Sequence, residues 1–254
     1  MNAITTSHRV GQIVAEHPHV ARVFEELNID YCCGGKRPLI EVCRERGLDA
    51  GQLVERLVGL PEPANEPQEK DWTTATLAEL CDHIVHEHHD YLREELPRLT
   101  AIIAKVVHAH GARDSKLAEV QKVFAALRNE LEPHMIKEEI VLFPSIRALE
   151  ARSEALPFPF GSLANPIRVM ISDHDHAGDD LARLRELTGD YVPPASACNT
   201  YRVMLDGLAT LERDMHQHVH KENNILFPRA IALEQRLGTD QQAAAEFGCG
   251  CAHA

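Results

Sequence analysis

One stretch occurs twice in the chain and limits what it can fold into. His134-Met-Ile-Lys-Glu138 leads to Leu142-Phe143-Pro144, and His218-Val-His-Lys-Glu222 leads to Leu226-Phe227-Pro228. In a helix, residues i and i+4 lie one turn apart on one face, so each copy presents an imidazole beside a carboxylate. Upstream of each copy stands another histidine, in His89-Asp90 and then in His174-Asp175, at nearly the same offset. Two such helical pairs facing each other would bring four imidazoles and two carboxylates into one bundle. That donor set suits a pair of iron ions, since imidazole and carboxylate favour iron or manganese over zinc or iron–sulfur clusters.

Helix geometry tests whether these residues can meet. In an antiparallel pair, residues equidistant from the turn lie at the same height. The midpoint between His89 and His134 falls at Gly111 and Ala112, inside a turn expected over 111–114. The midpoint between His174 and His218 falls at Ser196, at the edge of a turn expected over 189–195. All four histidines can therefore share one layer, with Glu138 and Glu222 about 6 Å further along their helices at 1.5 Å per residue. A bridging carboxylate covers that offset, and an oxo or hydroxo group can complete the bridge between the metals. His110 shares the inward face of its helix but stands roughly 30 Å from His89 by the same rise, so it is not a ligand.

The expected fold class is all-α: an antiparallel four-helix bundle with a small N-terminal helical domain. Aromatic residues are only 5% of the chain, which favours helices over a β-sandwich. Residues 1–60 read as the N-terminal domain, with Ser7 capping a helix that stops near Pro18. A second helix carries Val20, Val23, Phe24 and Leu27, and two short ones span Leu39–Arg46 and Leu53–Leu60. Residues 61–72, with three prolines among polar residues, read as a linker. The bundle occupies 73–238. Its first helix starts near Thr74 with Thr73 or Thr74 as cap, and Pro97 kinks it without ending it. At 100° per residue, Val85, His89, Leu92, Leu96, Leu99, Ile103 and Val107 form its inward stripe. The other three helices are expected over Ser115–Glu150, Pro166–Thr188 and Ser196–Leu237. Residues 239–254, with Cys249 and Cys251, read as a flexible tail.

A net charge of −13 argues against nucleic acid or an anionic membrane as partner and suits a protein that handles cations. No apolar run is long enough to span a membrane, and no signal peptide opens the chain. The seven cysteines are odd in number and poorly spaced for a disulfide framework, which points to reduced thiols in the cytoplasm.

Taken together, these motifs resemble the iron–sulfur cluster repair di-iron proteins, the RIC (repair of iron centres) family with a hemerythrin-like domain. The resemblance rests on Asp30-Tyr-Cys-Cys-Gly-Gly-Lys36, on His89 with Leu92-Arg-Glu-Glu-Leu-Pro97, on the two His-x-x-x-Glu stretches with Leu-Phe-Pro, and on His174-Asp. It covers nearly the whole chain and implies a hemerythrin-like bundle. It further implies that His89, His134, His174 and His218 are terminal ligands and that Glu138 and Glu222 bridge two irons. The implied activity is restoring iron–sulfur clusters damaged by nitric oxide or oxidants by donating iron, with iron–sulfur proteins as clients. Family members are often dimeric, so a homodimer is an open expectation. Two other activities share the same ligands: a carrier or sensor of O₂ or NO, and an oxidoreductase acting on NO, nitrite or peroxide. The Cys-Cys segment favours the repair reading, since a gas carrier has no need of it.

A single His-x-x-x-Glu pair is ordinary helix decoration; the matched duplication is what carries the metal reading. His86, His88, His108, His176, His216 and His220 are expected in solvent or behind the ligands, and Asp173 and Asp175 are expected either to orient an imidazole or to face water. Cys32 and Cys33 stand as a thiol pair that handles iron, activated by Lys36, or as a tight glycine turn with partly exposed thiols. Adjacent cysteines do not easily chelate one metal. Cys43, Cys81 and Cys198 are expected as small core residues.

Overall fold

The computed structural model describes residues 4–60, 70–152 and 158–248, with side chains described to residue 238. The chain is all-α: eight helices run through the described residues. The first four are short: α1 (Val10–Glu16), α2 (Ala21–Glu26), α3 (Leu39–Arg46) and α4 (Ala50–Val58). Arg9 rather than Ser7 precedes α1, without a side-chain cap. α4 starts earlier than the apolar pattern suggests because Asp49 caps it, accepting from the Gln52 N–H. α3 stops at Gly47, whose φ of 67° is the left-handed conformation that glycine adopts freely. Val10, Phe24, Leu39 and Leu57 bury their side chains in a core of this module's own.

Four long helices follow. Leu77–His83, Ile84–His89 and Asp90–His110 run end to end as α5. Lys116–Lys137, Glu138–Leu142 and Phe143–Glu150 make up α6. α7 is Ala164–Thr188, and α8 joins Asn199–His220, Lys221–Leu226 and Phe227–Gly248. The middle stretch in α5, α6 and α8 is π-helical, a wider turn with one extra residue that recurs at functional sites. Ile84 and His89, five residues apart, therefore both face inward, while Val85 is only partly buried. Val106 takes the inward place expected of Val107 at the far end.

Boundaries differ from expectation where side chains decide them. Thr76 caps α5 in a capping box with Glu79, whereas Thr73 and Thr74 bond to Asp71. Pro97 sits within α5 and the helix runs on past it, as α6 does past Pro133. Pro166 is the third residue of α7, and α8 starts at Asn199 and continues to Gly248 instead of ending at Leu237. Cys249, Cys251 and residues 61–69 lie outside the described residues.

α6 packs on α5 and α7, and α8 packs on α5 and α7, closing a four-helix bundle. Its core falls into two apolar parts. Leu92, Leu96, Phe124, Leu127, Leu208 and Leu211 fill one end. Leu80, Ile84, Phe143, Ile146, Ile167 and Phe227 fill the other. The N-terminal module lies against α7 and α8. Asn224, in the π turn of α8, donates to the carbonyls of Tyr31 and Cys32, each at 3.1 Å. Gly11 and Gly35 leave the room it occupies, since a Cβ at either would come within 2.5 Å of its Oδ1. The Tyr31 ring meets His220 edge-on at 5.4 Å.

Cys43 and Cys81 are core residues, but Cys198 is not: it is exposed at the start of α8. The Tyr201 backbone N–H and the His110 side chain, 3.2 Å away, lower its pKa to about 7. Iodoacetamide at neutral pH should therefore label Cys198 ahead of Cys43 and Cys81, and His110→Ala should move its reactivity midpoint to higher pH; a midpoint unchanged in that variant would show that His110 is not involved. Asn224→Leu leaves two carbonyls short of a donor, at about 1–3 kcal/mol each if they stay buried. Amides of 10–58 should then exchange faster while those of 92–103 hold, as read by hydrogen-exchange mass spectrometry; equal protection in both variants would place the docking energy elsewhere.

Candidate metal centre

The two apolar parts of the bundle core are separated by a polar layer. His89 from α5, His134 and Glu138 from α6, His174 from α7, and His218 and Glu222 from α8 all lie there, each at most 2% exposed. Each π turn carries a residue of this layer: His89 closes the one in α5, Glu138 opens the one in α6, and Glu222 is the second residue of the one in α8. The wider turn alters the direction of a side chain by part of a turn without ending the helix.

The donors form two groups that share both carboxylates. His89, His218, Glu138 and Glu222 make one, and His134, His174, Glu138 and Glu222 the other, with the donor atoms of each group within 4.8 Å of one another. The Nε2 atoms of His89 and His218 are 3.2 Å apart, and those of His134 and His174 are 3.1 Å apart. Two nitrogens each about 2.1 Å from one cation, at right angles, would stand roughly 3.0 Å apart. Glu138 lies 3.4 Å from His89 and 3.3 Å from His134, while Glu222 lies 3.1 Å from His174 and 3.2 Å from His218. These are ion-pair contacts rather than aligned hydrogen bonds, and all four carboxylate oxygens lack a hydrogen-bond partner.

Buried carboxylates without partners are costly unless countercharge arrives. Burial opposes the charged form of Glu222, yet His218 and His174 hold its carboxyl well below the ordinary range. Burial likewise opposes a charged His134, but Glu138 overcomes it and holds the imidazole at about 9. Protons on His89 and His134 thus balance part of the carboxylate charge in the absence of a cation. A pair of divalent cations fits this layer: six N and O donors, facing each other at metal-ligand spacing, with oxygens that nothing else satisfies.

Behind the layer, partners fix three of the four rings. His89 Nδ1 lies 2.7 Å from Glu139, which is itself paired with Arg93. His134 Nδ1 lies 3.2 Å from Asp173, and His174 Nδ1 lies 3.0 Å from the Asn223 amide oxygen. Asp173 therefore orients an imidazole on the neighbouring helix rather than that of adjacent His174, and Asp175 is exposed. His218 Nδ1 has no hydrogen-bond partner. It is steadied by stacking on His88, 5.2 Å away and nearly parallel. His88 is buried and held between Asp214 at 2.8 Å and Lys221 at 3.0 Å, and burial lowers its pKa to about 3.

His220 is also buried, on the side facing Tyr31, whereas His86, His108 and His176 are exposed as expected. His110 is at the far end of α5 beside Cys198. Glu139, Asn223, Asp214 and Lys221 were not singled out by sequence reasoning. Glu139, Lys221 and Asn223 are chain neighbours of Glu138 or Glu222, and Asp214 lies one helical turn before His218, which was the one available signal. Cys32 and Cys33 do not join the layer, but Cys33 Sγ lies 3.6 Å from the His174 carbonyl.

Glu139→Ala should leave the fold in place while reducing iron affinity roughly 10- to 100-fold in competition with a chelator. Wild-type affinity in that variant would show that the His89 ring needs no outer partner.

Compared with known proteins, residues 81–230 match the hemerythrin HHE cation binding domain, and residues 6–60 match a domain of unknown function, DUF542. The chain is 38% identical over 226 residues to the iron-sulfur cluster repair protein YtfE of Shigella boydii. The same identity holds for proteins of that name from Citrobacter koseri and Escherichia coli; in each case 89% of this chain and 97% of the relative are covered.

Proposed function

The chain belongs to the hemerythrin HHE cation-binding family and, with its close relatives, to the iron–sulfur cluster repair proteins; from that membership we propose that it returns iron to damaged clusters from a buried pair of iron ions. The observation that carries this reading is the pair of buried carboxylates, Glu138 and Glu222, whose four oxygens lack hydrogen-bond partners between four imidazoles. In this reading His89 and His218 would hold one iron and His134 and His174 the other, with Glu138 and Glu222 available to both.

When bound, the irons supply Lewis acidity, open positions for NO or O₂, and a store of exchangeable metal. The protein does the rest. Glu138 and Glu222 offset the mutual repulsion of the cations. Glu139, Asp173 and Asn223 keep three imidazoles turned inward, with the ring proton outward. The apolar side chains on either side exclude water from the layer. Iron held by nitrogen and carboxylate oxygen rather than by a thiolate cage can be given up to a sulfur-rich acceptor.

Residues 1–60 and 73–238 act here as two modules joined by 61–72, with the first placed over the His174 side of the second. Iron–sulfur proteins are the clients. No helix among the described residues is long and apolar enough to cross a membrane. The free cysteines support a reducing compartment, the cytoplasm.

The test is anaerobic transfer. Iron-loaded protein, mixed with an apo iron–sulfur protein, sulfide and reductant, should restore the client's cluster and lose iron in proportion. The variant carrying both Glu138→Ala and Glu222→Ala should hold little iron and restore nothing. Full retention of iron by the wild-type protein beside an unrestored client would refute the reading.

A further inference from the structure

The loop that joins α2 to α3 carries a second constellation of metal-binding groups. The Asp30 carboxylate, the Cys32 thiol and the Cys33 thiol have donor atoms within 4.8 Å of one another. Adjacent cysteines ordinarily point apart, which is why a shared metal was not expected of them. Here the backbone turns at Cys32, with φ −94° and ψ −75°, and enters a 3-10 turn over Cys33–Lys36. That turn brings the two sulfurs to 3.9 Å. Asp30 Oδ1 stands 3.1 Å from the Cys32 sulfur. Two thiolates about 2.3 Å from one tetrahedral cation would stand roughly 3.8 Å apart, so the sulfurs are already at ligating distance.

The loop is held in this shape independently of any metal. Asp30 accepts from the backbone N–H of Cys32 and of Gly34, at 2.9 and 2.8 Å. Asn224 grips the carbonyls of Tyr31 and Cys32 from the bundle side.

The three groups also have room beside them. They line a cleft of about 820 Å³ between the N-terminal module and the bundle, whose wall includes His174, Asp175 and His216. Cys33 Sγ lies against the His174 carbonyl, and His174 is one of the six donors of the buried layer. Three donors leave a tetrahedral cation one position short, and the cleft is open to a further ligand there.

We infer that Asp30, Cys32 and Cys33 form a second, mononuclear site for a thiophilic divalent cation such as Fe²⁺, at the mouth of the cleft beside the dinuclear layer. Binding forms two metal–sulfur bonds and one metal–oxygen bond and releases the two thiol protons to water. No oxidation state changes. The site deepens the repair reading, on which its purpose rests: it gives a metal ion a sulfur-bound halt between the bundle and an acceptor docked at the cleft. Its existence as a binding site is a separate matter and can be tested alone.

The test uses the full-length, iron-loaded chain under anaerobic conditions, titrated with Co²⁺. One Co²⁺ per chain should bind above the two irons, with thiolate-to-cobalt charge-transfer absorption in the near ultraviolet and no loss of iron. Cys32→Ser with Cys33→Ser should abolish that absorption. Cys33→Ser alone, which keeps a hydrogen-bond donor toward His174, should leave roughly half its intensity, and Asp30→Asn should weaken binding about tenfold or more. Amide exchange over 10–58 reports whether each variant keeps its loop docked. Cobalt binding without the charge-transfer band, a band that survives in the double variant, or uptake only by displacement of iron would each overturn the site. Failure of iron transfer by the wild-type protein would instead count against the repair reading and leave a cobalt-positive site standing.

Discussion

Two carboxylates shut away from water in the middle of a helical bundle are the constraint around which the molecule is arranged. Glu138 and Glu222 are fully buried, and an ion of that kind costs several kcal/mol to desolvate unless opposite charge is close. Imidazoles from four different helices face them, with His89 and His134 held, against burial, toward the charged form by Glu138, so each long helix must arrive at one level. The apolar core is split by this requirement, with Leu and Phe side chains packing above and below the layer. In the metal-free chain, protons on His89 and His134 offset the carboxylates in part; cations would do so more completely. The same six side chains thus set both the level at which the helices meet and the charge balance of the interior.

The level at which the four histidines meet was legible because it depends on counting alone. Antiparallel helices climb at the same rise, and the turns lie at the midpoints between paired histidines, so His89, His134, His174 and His218 align in the structure as the chain's spacing implies. The all-α class was equally plain from the apolar stripe of α5 and the two His-x-x-x-Glu helices. The three π turns were not. A one-residue widening shifts the register of inward positions, as at Ile84 and Val85, yet leaves the average period close to 3.6.

The partners behind the ligands were hidden for another reason. Glu139 reaches His89 on a different helix, and Asp173 reaches His134, so neither pairing follows from local spacing. His88 reads as one histidine among several in a crowded run, and its burial follows only once Asp214 and Lys221 come to it from α8. The same limit applies to Cys32 and Cys33: their proximity is a property of the turn at Cys32 rather than of residue type. Cys198 departs from the burial usual for a free cysteine because it stands at the helix start, one residue before Asn199, where the chain is exposed.

Asn223 and Asn224 share a single peptide bond in the π turn of α8. The first steadies His174 and the second latches the N-terminal loop by two of its carbonyls. One short piece of backbone thus carries both contacts, so a substitution that distorts this turn is felt at the imidazole and at the module alike.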